Sequence, residues 1–207
     1  MPRRPVIVFA AAILMVAIAI ALCTLLVVNS RTGAGDEDTN VASGQSVIGG
    51  DFTLVDQNGR QVDQTMLDGK WSLVFFGFTY CPDFCPTTLG VLDQVQEQLG
   101  EDADKLQIIF ISIDPARDTP QMLKDYLSSD GFPDNVIGLT GSEAQVAQAA
   151  KVYRALYSKV GEGEAYTMNH TLTVYLMGPD GQFRSPLAHD LGPARTVKLI
   201  RDVMARG

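Results

Sequence analysis

The hydrophobic pattern divides the chain into three parts. Val6 to Val28 reads VIVFAAAILMVAIAIALCTLLVV, 23 residues without a charge. About 20 apolar residues carry a helix across a bilayer, so this run is long enough with some tilt. Asn29 to Ser46 is rich in Gly, Ser, Thr, Asn and Asp and holds almost no large apolar residue. That composition predicts a flexible tether. From about Val47 onward, short apolar runs alternate with stretches in which apolar residues recur at helical spacing.

In this third part, Phe52 to Val55 and Arg60 to Val62 flank Asp56-Gln57-Asn58-Gly59, a hairpin with an Asn-Gly turn. Ser72 to Phe78 and Leu106 to Ile113 are continuous apolar runs, as expected of strands covered on both faces. Between them, Leu89, Leu92, Val95 and Leu99 fall near a 3.6 period, and Gly100 stops the helix. Thr119 caps a second helix, with Pro120 in its first turn and a body to Ser128. Val136 to Leu139 is a short strand. Ser142 caps a third helix that runs through Val146, Ala149, Ala150, Tyr153 and Leu156. Lys159 to Glu164 reads as a Gly-rich loop, and Tyr166 to Thr171 as a loop leading into the strand Leu172 to Met177. Pro179-Asp180-Gly181 turns the chain into a return strand from Gln182, and Thr196 to Met204 closes it as a helix. The class is α/β. A thioredoxin-like central sheet is flanked by helices and carries an N-terminal hairpin. The domain spans residues 47–207, behind an anchor at 1–28 and a linker at 29–46.

Charge and cysteines place the parts. Arg3 and Arg4 precede the apolar span, so the short N-terminus stays in the cytoplasm and the rest is exported. A cleaved signal peptide would carry a shorter apolar region and a small-residue cleavage site, and Val27-Val28-Asn29-Ser30 offers none. Cys23 lies inside the span as a small apolar residue. The exported part holds 14 basic and all 24 acidic residues, a formal charge of −10. That balance disfavours nucleic acid and anionic membrane surfaces.

The exported part keeps two cysteines, in Phe78-Thr79-Tyr80-Cys81-Pro82-Asp83-Phe84-Cys85-Pro86. A pair so close in sequence closes too small a loop to staple the domain, which points to function. Cys81 follows a buried strand. Cys85 stands at a helix start, with Pro86 suited to the first helical position. Helix N-termini stabilise thiolates, the form that attacks disulfides and ligates metals. Cβ atoms four residues apart on a helix lie about 5–6 Å apart, against about 3.5–4.5 Å in a disulfide. The spacing therefore leans to a metal clamp and leaves a disulfide open. Thiolates select Cu(I), zinc or iron–sulfur clusters, but the usual four cysteines of the last two are missing. An imidazole would complete the set, and the domain has two, His170 and His189. In thioredoxin-type folds the loop before the third core strand faces the cysteine loop, which favours His170. A peroxiredoxin-type peroxidase is disfavoured, because it would use a single activated cysteine beside an arginine.

The exported domain resembles the Sco/SenC proteins, copper chaperones for assembly of cytochrome c oxidase. The resemblance rests on Ile48 to Leu54, Phe76 to Pro86, Ile111 to Pro120, and His170 with Tyr175-Leu176. It implies that Cys81, Cys85 and His170 bind one copper ion per monomer, as Cu(I) or Cu(II). The implied client is the CuA centre in subunit II of the oxidase. The implied location is the inner membrane, single-pass, with the domain in the periplasm, or the intermembrane space of a mitochondrion. A periplasmic copper donor or thiol reductase is an implied partner. The second reading is an enzyme, a thiol–disulfide reductase that keeps the CuA cysteines reduced, with Cys81 and Cys85 as the redox pair. The family often has Asp before the histidine, where this chain has Asn169. Asp114 and Asp118 belong to the shared pattern, as helix-capping and loop-ordering residues or as groups behind the metal site or at a partner-docking face.

Overall fold

The computed structural model of the protein describes residues 48–206. The anchor and linker expected at 1–28 and 29–46 lie outside them. Among the described residues no helix is long and apolar enough to cross a membrane.

The sheet grows outward from its two most apolar strands. β1 (Thr53–Asp56) and β2 (Gln61–Asp63) form the hairpin. Its turn is set by Asp56, whose Oδ1 accepts the N–H groups of Asn58 at 2.9 Å and Arg60 at 2.8 Å. β3 (Trp71–Gly77) and β4 (Leu106–Ser112) are buried at every position and pair in parallel. β5 (Val136–Thr140) extends the parallel set. A two-stranded ribbon, β6 (Tyr157–Val160) and β7 (Thr167–His170), stands apart from the main sheet. β8 (Val174–Met177) and β9 (Phe183–Leu187) return antiparallel. The seven-stranded order is β2-β1-β5-β4-β3-β8-β9. β3 and β4 are central, which is why they carry uninterrupted apolar runs rather than alternation.

Four α-helices flank the sheet: α1 (Phe84–Leu99), α2 (Pro120–Leu127), α3 (Glu143–Tyr153) and α4 (Pro193–Met204). The expected caps form at α2, where Thr119 accepts the N–H of Met122, and at α3, where Ser142 and Gln145 make a reciprocal capping box. Arg201 of α4 donates to the carbonyls of Gln98 and Leu99, closing the C-terminus of α1 with a cation. This is the expected thioredoxin-like α/β layering.

Four expectations are corrected. α3 ends at Tyr153, because Arg154 adopts a left-handed conformation (φ 55°) and turns the chain into β6. Leu156 is therefore not on a helix face but 78% exposed. The stretches read as loops at 159–164 and 166–171 contribute to β6 and β7. α4 starts three residues early, at Pro193. Pro86 is the third helical residue of α1, not the first, since Asp83 precedes the helix.

Candidate metal centre

The chain leaves β3 at Gly77 and reaches α1 in six residues, so Cys81 lies in a tight connection above the end of the sheet. Its backbone N–H donates to the carbonyl of Phe78 at 3.2 Å. Cys85 is the second residue of α1, and its N–H donates to Cys81 Sγ at 3.4 Å. The helix N-terminus thus aims an unpaired donor at the first sulfur. Both thiols are free and buried. Gly77 makes room for the second: a Cβ there would lie 2.7 Å from Cys85 Sγ and 2.6 Å from the Phe110 ring.

His170 ends β7. Its Nδ1 lies 3.0 Å from the carbonyl of Thr171, which can only accept, so Nδ1 carries the proton. Nε2 then presents its lone pair, 3.9 Å from Cys85 Sγ. The ring stands edge-on to Phe78, with centroids 5.9 Å apart. Sequence and fold thus give the imidazole the tautomer and orientation a ligand needs. The donor atoms of Cys81, Cys85 and His170 all lie within 4.8 Å of one another. A trigonal ion with bonds of about 2.0–2.3 Å would space its donors about 3.7–4.0 Å apart, so closure takes about 1 Å of movement. Two thiolates and one imidazole are a soft set that suits copper.

The thiols are electrostatically unlike. Cys81 is pushed down to about 3, first by the neighbouring Cys85 thiol and further by the N–H groups of Cys85 and Asp83, against the opposing effect of burial. Cys85 is pushed up, because it gives its proton to that bond, is buried and faces the Cys81 charge. Cys81 is therefore the more acidic of the two thiols, and Cys85 the one that keeps its proton.

Asp118 braces the loop from below. It is fully buried and accepts Thr79 Oγ1 at 2.6 Å, Thr79 N–H at 3.1 Å and Ser112 Oγ at 2.6 Å. It orders the cysteine connection, whereas the cap of α2 belongs to Thr119. Burial pushes its carboxyl up, against those hydrogen bonds. Beside the cysteines, a cavity of about 480 Å³ is lined by Phe78, Cys81, Phe84, Met168 and His170, among others. His189 is not brought into the donor group. Its ring meets Phe84 edge-on at 5.6 Å, on the rim. Asn169 is exposed on β7 and lines the rim of the same cavity.

The SCO1/SenC family model matches residues 40–205. The chain belongs to the SCO1/SenC family. Among its Sco relatives is the mitochondrial protein SCO2 of Saccharomyces cerevisiae, 39% identical over 171 residues, covering 81% of this chain and 56% of the yeast protein. The match thus spans just over half of that relative's own length. Bradyrhizobium japonicum ScoI, solved with copper bound, is 44% identical, with a TM-score of 0.69 over 75% of this chain and 99% of that one. BsSco, a member of the Sco family of cytochrome c oxidase assembly proteins in which a disulfide switch was identified, is 28% identical. Its TM-score is 0.62 over 78% of this chain and 94% of that one.

Two features of this Sco site leave little signal in the sequence. Phe78 closes an apolar run that predicts a buried strand, yet it also meets the His170 ring edge-on. The β6–β7 ribbon stands where the composition predicts loops, although Thr167-Met168-Asn169-His170 alternates in the manner of a strand.

Proposed function

We propose that this protein is a membrane-anchored copper chaperone that delivers one copper ion to the CuA centre in subunit II of cytochrome c oxidase. Cys81, Cys85 and His170 are its ligands. The observation that carries this reading is the convergence of two thiols and a correctly oriented imidazole at the end of one sheet. Copper is cargo here. Its uptake releases the proton of the Cys85 thiol, and the ion then gains two thiolates and Nε2. Transfer proceeds as client thiolates replace these donors one by one. Tyr80 and Phe84, 57% and 46% exposed, frame the cysteines and offer the client an apolar rim. The span Val6–Val28 holds the protein in the inner membrane, with residues 48–206 on the periplasmic or intermembrane-space side. The copper-bound ScoI relative and the oxidase-assembly role of the Sco family support this reading.

The test is copper loading of the purified full chain and its variants. About one copper per chain is expected. It should be lost in Cys81→Ala and Cys85→Ala and weakened in His170→Ala with loss of the imidazole signal. A His170→Ala protein with unaltered copper spectrum and affinity would refute the ligand set.

The unlike thiols support a second reading, a reductase. Cys81 thiolate attacks a client disulfide and releases one client thiolate. Cys85 then gives up its proton and displaces the second, leaving a Cys81–Cys85 disulfide and a client dithiol, two electrons richer. An external dithiol must restore the pair. This route needs no His170, so a His170→Ala protein that still reduces an oxidised CuA-domain disulfide at full rate would favour it.

A further inference from the structure

His170 is carried by a ribbon outside the main sheet, so something must hold the ribbon over the cysteines. Two isolated strands are marginal on their own. At its base the ribbon is tied by Thr171 N–H to the Leu156 carbonyl at 2.9 Å and by Leu156 N–H to Thr171 Oγ1 at 2.9 Å. Its other end begins at Tyr166, and there Arg117 grips it. The Arg117 guanidinium lies 3.6 Å from the Tyr166 ring centroid, and Nη1 donates to the Tyr166 carbonyl at 3.0 Å. Asp114 ties the two side chains together, accepting Arg117 Nε on one oxygen and the Tyr166 hydroxyl, at 2.6 Å, on the other. The same guanidinium lies 4.5 Å from the ring of Tyr80, the neighbour of Cys81. Arg117 and Asp114 are 16% and 4% exposed at their side chains, so water screens this cluster little.

Arg117 therefore touches the cysteine loop and the histidine ribbon at once, from a third segment, the connection between β4 and α2. We propose that Arg117 is a positioning residue of the metal site: its stack between Tyr80 and Tyr166 sets where His170 stands relative to the two sulfurs. Asp114 and Tyr166 complete the clamp. Whether copper meets three protein donors or two depends on this clamp, and so does the ease with which the imidazole leaves during transfer. The contacts require a planar, forked cation that can stack and donate together, which lysine does not provide. The inference rests on His170 being a copper ligand.

The test uses the purified full chain in the wild-type and His170→Ala backgrounds. Cu(I) affinity is measured by competition with a bathocuproine chelator. Imidazole nitrogen coupling is read by pulsed EPR on Cu(II)-loaded protein. Arg117→Ala should weaken copper about 10–100-fold, as loss of a residue supporting a metal ligand does, and should weaken or abolish the nitrogen coupling. Arg117→Lys should behave like Arg117→Ala. In the His170→Ala background Arg117→Ala should add almost nothing, because its effect runs through the imidazole. Tyr166→Leu removes the other half of the stack from a half-buried position and should reproduce the result if Arg117→Ala fails to fold. Undiminished nitrogen coupling and affinity in the Arg117 or Tyr166 variant would overturn the clamp. So would an equal loss of affinity with and without His170. A His170→Ala protein that keeps wild-type coupling would overturn the ligand assignment itself, a result distinguishable from failure of the clamp alone.

Discussion

Cys81 and Cys85 differ in chemistry because they differ in place: one receives a helix N-terminal N–H, the other is buried against Gly77. With its thiol held near 3, Cys81 stays ionised from pH 8 down to pH 5. An ordinary thiol loses roughly 10³-fold of its thiolate over that range. Alkylation of the reduced apo-protein by iodoacetamide, mapped by mass spectrometry, should therefore stay nearly flat at Cys81. A decline of about tenfold per pH unit would show an ordinary thiol. Gly77 yields a second expectation. Gly77→Ala drives a methyl group into Cys85 Sγ and Phe110 at 2.7 and 2.6 Å. Overpacking of this kind costs about 1–3 kcal/mol, and here it also displaces a donor. Denaturant titration should show the lost stability, and chelator competition the weakened copper. Unchanged affinity would mean the sulfur position is not set from below.

Among the elements, the helices and the central strands behave as their patterns demand. β3 and β4 announce themselves by unbroken apolar runs, and α2 and α3 by Thr119-Pro120 and by Ser142 with Gln145. The capping box of α3 does not line the cavity beside the cysteines. Ser142→Ala should cost about 1 kcal/mol in thermal or denaturant unfolding. Copper content should stay unchanged, and a loss would reveal coupling between α3 and the site. The ribbon β6–β7 was illegible for a physical reason. It is half exposed and buries little, so its apolar residues are too few to set a period, and Leu156 falls at a spacing that continues the helix pattern. Only the left-handed turn at Arg154 separates the two. The site's histidine rides on the element least visible in the sequence.

For the whole molecule, the proposed delivery role needs the domain to be tethered near an oxidase in the same membrane. The uncharged run Val6–Val28 predicts that the full chain stays in the membrane pellet after alkaline carbonate extraction. A variant lacking residues 1–28 should move to the soluble fraction with its copper capacity intact. Release of the full chain by carbonate would count against anchoring, and loss of copper on truncation against an independent domain. Under the proposed delivery role, the formal charge of −10 beyond the anchor favours a basic docking face on the client, so their association should weaken with salt.

The sequence by itself determined the α/β class, the cysteine pair at a strand–helix junction and the resemblance that singles out His170. Those are matters of local pattern: apolar runs, caps and a short motif, each readable from neighbouring residues. Only the tertiary structure decided how Cys81, Cys85 and His170 meet, which nitrogen faces the sulfurs and what braces them. Gly77, Phe78, Asp118, Arg117 and Tyr166 act across sheet ends and between loops, at sequence separations of up to tens of residues. Such contacts leave no period in the chain. They exist because the parallel strands β3 and β4 end, and the antiparallel β8 begins, at the same edge of the sheet.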